Sequence, residues 1–445
     1  MKYLFSVMMI LLLMTTGNAQ TSEKPVKSNV YGQWRTYYLG TLNQGSLRDF
    51  QALATGGKLG IDVTYGSFLL RVVGYSSLNI GIQDLSIPDP ITNRLSRYEL
   101  GLFDVNNPSR RWIGILGEAN LGFERAGHKF QVGRIKLKSP LMNPQDGRMI
   151  PTLFQGTWYQ FKDKKKLTVQ TGVINAIATR STDRFESLKD TYGLYPSGRN
   201  PDGSPSNYRG NVDSDFIWVT NLRKGLGTQV NLDLWNYYVD NVFNSVYSNL
   251  TWSIKDSPFE VAAEAVLQQR LANGGNADPS LAYFQSQSAY NLGGQLKYTL
   301  DDRQISIAYN HIPRGGRFLF PREWGREGLY TFQKRERTDG SANNQALLLS
   351  YESTFSVKQF SVKGIYSLGH QWKASVTSPE DNKYALPSYQ HLNLDWFLSH
   401  SAIPNLKPEL LVTYKRGIGD FPDNPNFILN KVDLMMLNVI FNYNF

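Results

Sequence analysis

The residues best equipped for chemistry in this sequence are fixed cations, and the chemistry they suit is holding anions. Arg148 stands with Asp146 in a segment, 139–152, that also carries Pro140, Pro144 and Pro151. Proline rings lock φ and limit the freedom of such a segment. A guanidinium in a stiff loop can draw anions to an aperture of fixed width, or it can pair with Asp146 or another carboxylate. Both uses fit the residues. Five further bases, Lys58, Arg71, Lys297, Lys363 and Lys415, occupy polar positions of alternating segments, and Arg35 and Arg416 lie nearer segment ends. No serine or aspartate sits in a nucleophile elbow or beside a positioned base. The five histidines, at 128, 311, 370, 391 and 400, lack metal-ligand spacing. The residues argue against an enzyme and imply no metal or cofactor.

The elements that must position these cations alternate with period 2 from end to end. Leu59, Ile61, Val63 and Tyr65 alternate with Lys58, Gly60, Asp62 and Thr64; Leu437, Val439, Phe441, Tyr443 and Phe445 alternate with Asn438, Asn442 and Asn444. About eighteen such strands are expected, among them 57–66, 213–223 and 430–445. Short turns, as at Gly66-Ser67 and Asp301-Asp302, alternate with long polar stretches such as 81–111, 139–152, 180–212 and 314–341. An even strand count with short turns on one side and long loops on the other is the pattern of a transmembrane antiparallel β-barrel. A barrel of this size encloses an aqueous lumen. Parity then sends Lys58, Arg71, Lys297, Lys363 and Lys415 inward, because a charge facing lipid at mid-depth costs about 2–4 kcal/mol. By the same parity, arginine is expected to be tolerated at Asn438 and not at Leu437.

The N-terminus reads as a secretory signal over 1–19: Lys2, an apolar run from Leu4 to Met14, and Gly17-Asn18-Ala19 before Gln20. That run is too short to span a bilayer. The remainder, 20–445, reads as a single barrel domain. The chain has no cysteine, which suits passage through an oxidising compartment without disulfides. The formal charge of +10 is compatible with nucleic acid, acidic lipid or anionic solutes. Export and the lack of any nucleic-acid motif exclude the first. The 25 Tyr, 23 Phe and 9 Trp suit the aromatic girdles of a barrel in outer-membrane lipid. Phe445 at the end of an amphipathic strand resembles the signal read by the outer-membrane barrel assembly machinery.

Residues 130–160 go beyond barrel class. Pro140, Asn143, Asp146, Arg148, Met149, Ile150, Pro151, Phe154 and Gly156 resemble the pattern of the OprD-type outer-membrane porin family. Trp324-Gly325, Arg335-Glu336-Arg337 and Asp339-Gly340 are similar to its late-loop region. Leu386 to Tyr389, Leu392 to Asp395, and the end from Asn430 to Phe445 also fit. The resemblance implies an 18-stranded monomer whose third long loop folds into the lumen. It also implies a ladder of basic side chains guiding carboxylate-bearing solutes past acidic groups. The expectation is a porin in the cell outer membrane for passive, partly selective diffusion of small solutes such as amino acids and organic acids. An oligosaccharide channel of the same fold is the rival; an adhesion barrel or membrane enzyme fits less well. Trp324, Tyr330 and Phe332 are expected to pack their loop more than to stack on sugars.

Overall fold

The computed structural model describes residues 25–445 except Asp146. The expected signal segment, 1–19, and the expected site residue Asp146 both lie outside the described residues. Nineteen strands follow in order: β1 (Lys27–Asn43), β2 (Phe50–Tyr65), β3 (Phe68–Asn79), β4 (Trp112–Arg125), β5 (His128–Ile135), β6 (Leu153–Lys162), β7 (Leu167–Ala178), β8 (Glu186–Ser187), β9 (Ile217–Leu226), β10 (Val230–Val239), β11 (Phe243–Ser253), β12 (Phe259–Arg270), β13 (Ser288–Leu300), β14 (Arg303–Ile312), β15 (Asn344–Val357), β16 (Phe360–Trp372), β17 (Ser388–His400), β18 (Leu406–Ile418) and β19 (Leu434–Asn444). β8 is a two-residue piece within the loop after β7. The other eighteen pair antiparallel with their chain neighbours, β7 joining β9 directly. The sheet closes where β1 pairs β19 from Gln33↔Asn444 to Asn43↔Leu434. Closure leaves no sheet edge and satisfies the backbone internally, as hydrocarbon demands.

Alternation sets what each face carries. Val30, Trp34, Leu59, Phe68, Leu121, Trp252, Leu296, Phe355, Phe441 and Tyr443 stand exposed on the outer wall. Tyr37, Ala52, Tyr75, Asn120, Glu264, Asn310 and Asn438 are buried on the inner wall. The two halves of the barrel interior differ. Toward the long loops, Met142, Tyr192, Tyr237, Phe243, Phe284, Phe320 and Trp324 form an apolar core between inner wall and loops. Toward the short turns, inward charges pair across neighbouring strands: Arg71 with Asp62, Arg223 with Asp233, Lys297 with Glu260, and Lys363 with Glu352.

Strand positions follow the expected spans with instructive shifts. β2 starts at Phe50, well before 57. Gly56-Gly57 looks like a break, yet the strand runs through it because the backbone of β1 crowds that point. A Cβ on Gly57 would lie 1.9 Å from the Gln33 carbonyl oxygen, and its φ of +135° suits glycine alone. β19 starts at Leu434, after 430, because Asn430 and Asp433 adopt positive φ and serve the loops. Asn430 Nδ2 donates to the Leu95 carbonyl, and Asp433 accepts from the Gly417 amide.

Facing has a measurable consequence. Leu437→Arg places a charge against lipid and should sharply lower the fraction folded on refolding into bilayers, scored by band shift on unheated gels. Gln295→Arg, on the inner face of β13, should fold like the wild type. Equal folding of the two would refute the facing. The expected tolerance at Asn438 needs correction. Asn438 points inward, but it is fully buried and accepts from Tyr37 and Arg335 while donating to the Leu411 carbonyl. Arginine there would meet Arg335 head on.

Candidate functional site

Two loops build a partition across the lumen. Loop 136–152 follows β5 and loop 313–343 follows β14. They are stitched together through backbone groups. The Asn143 amide donates to the Trp324 carbonyl at 3.2 Å, and the Gly328 amide to the Pro140 carbonyl at 2.9 Å. Asn143 Nδ2 donates to the Arg326 carbonyl at 2.8 Å, and Gln145 Nε2 to that of Arg322 at 3.0 Å. The longer loop is also anchored to the wall. Trp324 is fully buried, its indole donating to Thr191 at 2.9 Å. The Tyr330 amide donates to Glu264, and Gln333 Nε2 to Ser367 Oγ. Arg322 pairs with Asp339 at 2.9 Å, and Lys415 with Glu336 at 2.8 Å. A loop tied this often is a fixed wall; mobile loops leave their hydrogen bonds to solvent.

Beside this partition lies a cavity of about 280 Å³. Its lining holds seven cations, Arg97, Arg148, Arg180, Arg326, Lys334, Arg335 and Arg337, and two carboxylates, Glu336 and Glu409. Both carboxylates are already engaged. Lys415 holds Glu336, and Lys334 bridges Glu409 at 2.6 Å and Asp395 at 2.5 Å. Arg337 leans on Glu327 and on the Gly325 carbonyl. Arg97, Arg148, Arg180 and Arg335 make no carboxylate contact among the described residues. Arg148 Nε, Arg180 Nε and Arg335 Nε are buried with no hydrogen-bond partner among the described residues. Arg335 is itself held in the left-handed region at φ 71°, donating to Tyr37 and to Asn438 Oδ1. Such strain persists only where surroundings enforce it. Arg35 fixes the other loop by donating to the Arg148 carbonyl at 2.5 Å.

The lining carries more cations than carboxylates. Burial, then the neighbouring Arg335, pushes Arg148 down to about 9, which leaves it charged at neutral pH. Glu99 lies within electrostatic range of Arg148, but burial pushes its carboxyl up. A second cavity of about 700 Å³ shares Arg97, Arg180 and Arg337 with the first. It adds Arg94, Arg199, Arg322, Lys383 and Lys431 beside Leu95, Leu100, Leu194, Phe427 and Leu429. These residues come from long loops, so this cavity is the outer vestibule. Burial and the surrounding arginines push Lys431 down to about 7. Its charge is present below that pH and lost above it. The reversal potential in a salt gradient should shift away from anion preference between pH 6 and pH 8, and Lys431→Met should reduce that shift. A flat profile in the wild type would contradict it.

The expected site residues are distributed unevenly around this geometry. Arg148 lines the 280 Å³ cavity. Lys415 points inward but is buried as the anchor of Glu336. Arg71, Lys297 and Lys363 point inward, paired and nearer the short turns. Lys58 lies on the wall of β2, 5.9 Å from the Tyr31 ring centre. Arg97, Arg180 and Arg326 were not candidates from sequence, because strand parity says nothing about loops. Arg335 and Arg337 were marked only by the late-loop resemblance. Trp324 and Tyr330 pack their loop as expected, and Phe332 lies 4.8 Å from the Arg326 guanidinium.

A closed 18-strand barrel with an apolar outer wall, polar side chains inside and loops folded into the lumen beside a cation-rich cavity is a membrane channel of the porin class. The model of the OprD family of outer membrane porins matches residues 123–365, and the chain belongs to that family. Its fold is similar to that of OccAB2 from Acinetobacter baumannii, at 14% identity and a TM-score of 0.68. It is also similar to OccK9 (OpdG), at 15% identity and 0.69, and to OpdK solved with vanillate, at 13% identity and 0.66, both from Pseudomonas aeruginosa. In each case 94% of this chain and 98% of the other are covered. No curated protein matches the sequence. The protein is a non-enzymatic outer-membrane channel for small solutes.

Proposed function

We propose that this channel passes small anions, carboxylates first, by drawing them to the guanidinium ring between the two inward loops. The observation that carries this reading is the set of four arginines, Arg97, Arg148, Arg180 and Arg335, that face the constriction without carboxylate partners among the described residues. Guanidinium groups bind carboxylates through paired, charge-assisted hydrogen bonds. A cleft of one sign with low-dielectric walls also concentrates counter-ions ahead of the aperture. Vanillate in the similar OpdK structure is a carboxylate of this kind. The paired bases on the lower wall keep that half of the lumen wet and close to neutral. The oligosaccharide reading has less support. A sugar path needs exposed aromatic faces, and Trp324 is buried while Tyr330 is tied to Asn249 and Glu264. In this reading the chain reaches the outer membrane by its N-terminal signal, and Phe445, whose backbone pairs with Gly32 at the seam, serves assembly.

The test is block of single-channel chloride current by benzoate, a small carboxylate, against block by maltotriose. Concentration-dependent block by the carboxylate alone supports the reading. Block by the sugar alone transfers the channel to the oligosaccharide class.

A further inference from the structure

We propose that the preferred solute is a small dicarboxylate whose two ends engage two guanidinium pairs placed in series along the pore: Arg97 with Arg180 on the outer side, and Arg148 with Arg335 on the inner side. This rests on the anion-channel reading above and narrows it.

The two cavities give the order. Arg97 and Arg180 line both the outer vestibule and the inner cavity, so they stand at the wall between them. Arg148 and Arg335 line the inner cavity and are missing from the vestibule lining. A solute entering from outside meets the first pair before the second. Within the inner pair, the strongest like-charge repulsion on Arg148 comes from Arg335. On the outer side, Arg180 feels Arg337 and then Arg97, and Arg337 is already held by Glu327 and the Gly325 carbonyl. Each pair also holds an unanswered donor: Arg180 Nε outside, and Arg148 Nε and Arg335 Nε inside, all buried. Arg148 is only 8% exposed. Its surroundings are fixed by Gly101, where even a Cβ would lie 3.1 Å from Nε.

A monocarboxylate answers one pair and leaves the other repelling. A phosphate carries two charges but concentrates them at one pair. A dicarboxylate answers both, and once one end is bound the second binds from a high effective concentration. The inner cavity supplies Leu411, Ile440 and Phe332 for the methylene chain between the ends. The advantage of the second carboxylate is that of one charge-assisted pair, about tenfold or more in affinity.

The experiment uses the purified full-length channel in planar bilayers at pH 7.5, where both carboxyls of an aliphatic diacid are ionised. Reversal potential in a potassium chloride gradient is read first. Chloride current is then blocked with butanedioate, pentanedioate and hexanedioate, with the monoacids of equal carbon number, and with inorganic phosphate. The expected result is block by one diacid at a concentration about tenfold or more below its monoacid and below phosphate. Arg97→Gln and Arg148→Gln, each alone, should reduce that advantage to about twofold, weakening diacid block more than monoacid block. Diacid and monoacid blocking alike, with anion preference intact, overturns the dicarboxylate assignment alone. Phosphate blocking best overturns it in favour of a single compact site. A channel without anion preference removes the parent reading instead.

Discussion

A channel carrying Gly325→Val should conduct more current per open channel and lose most of its preference among ions. Gly325 is where loop 313–343 crosses loop 136–152. A Cβ there would stand 2.4 Å from the Leu141 carbonyl oxygen and 2.7 Å from the Asn143 nitrogen. Both are backbone atoms, so no rotamer change relieves the clash. Overpacking of this kind costs about 1–3 kcal/mol. Separating the loops also breaks the stitches from Asn143 to Trp324 and Arg326 and from Gly328 to Pro140, each worth about 0.5–1.5 kcal/mol. The barrel ladder is untouched, so the variant should fold and insert. Single-channel conductance reads the outcome directly. An unchanged conductance would mean that this crossing does not form the constriction.

The second large effect is expected at Lys415, acting on the same loop from the wall. Glu336 is buried, and burial alone would raise its carboxyl, but Lys415 and then His391 hold it well below the usual carboxylate range. Lys415→Met leaves that carboxylate buried beside the His391 imidazole, Nδ1 at 3.6 Å, without the ammonium that paired with it. Removing one partner of a buried pair costs about 3–5 kcal/mol. The segment carrying Lys334, Arg335 and Arg337 should therefore leave the wall, giving several unstable conductance levels. Lys415→Met combined with Glu336→Gln should restore a single steady level, because the unpaired buried carboxylate is gone. Acidification should also quiet the single variant. Without Lys415 the carboxyl is raised, and protonation as pH falls removes the unpaired charge. A single variant as quiet as the wild type would show that the ion pair does not hold the loop.

Much of this architecture is legible in the sequence because strands in a barrel obey one rule. Period-2 alternation places Leu59 and Leu296 outward and Lys58 and Lys297 inward without coordinates, and the eighteen long strands follow. The rule fails where another contact dominates. Gly56-Gly57 resembles a break until the neighbouring β1 backbone explains it, and Asn438 resembles a free lumen position until Arg335 is seen resting on it. The constriction was legible in part. Arg148 stands out because prolines stiffen its loop. Arg97, Arg180 and Arg326 lie in loops with no periodicity to orient them. Their convergence depends on contacts such as Asn143 to Arg326, 183 residues apart in the chain. The family resemblance implies a ladder of basic side chains; Arg71, Lys297 and Lys363 each sit beside a carboxylate on the neighbouring strand. The register pairs that set those partners cannot be read from any one strand.

The most direct test of the guanidinium ring is the zero-current potential across a planar bilayer under a potassium chloride gradient. It should be compared between the wild type and the Arg97→Gln/Arg148→Gln/Arg180→Gln/Arg335→Gln variant. The wild type should show a chloride-selective potential, and the variant a potential near zero at similar conductance. Equal potentials in the two, or a potassium-selective wild type, would contradict the assignment of selectivity to these four residues.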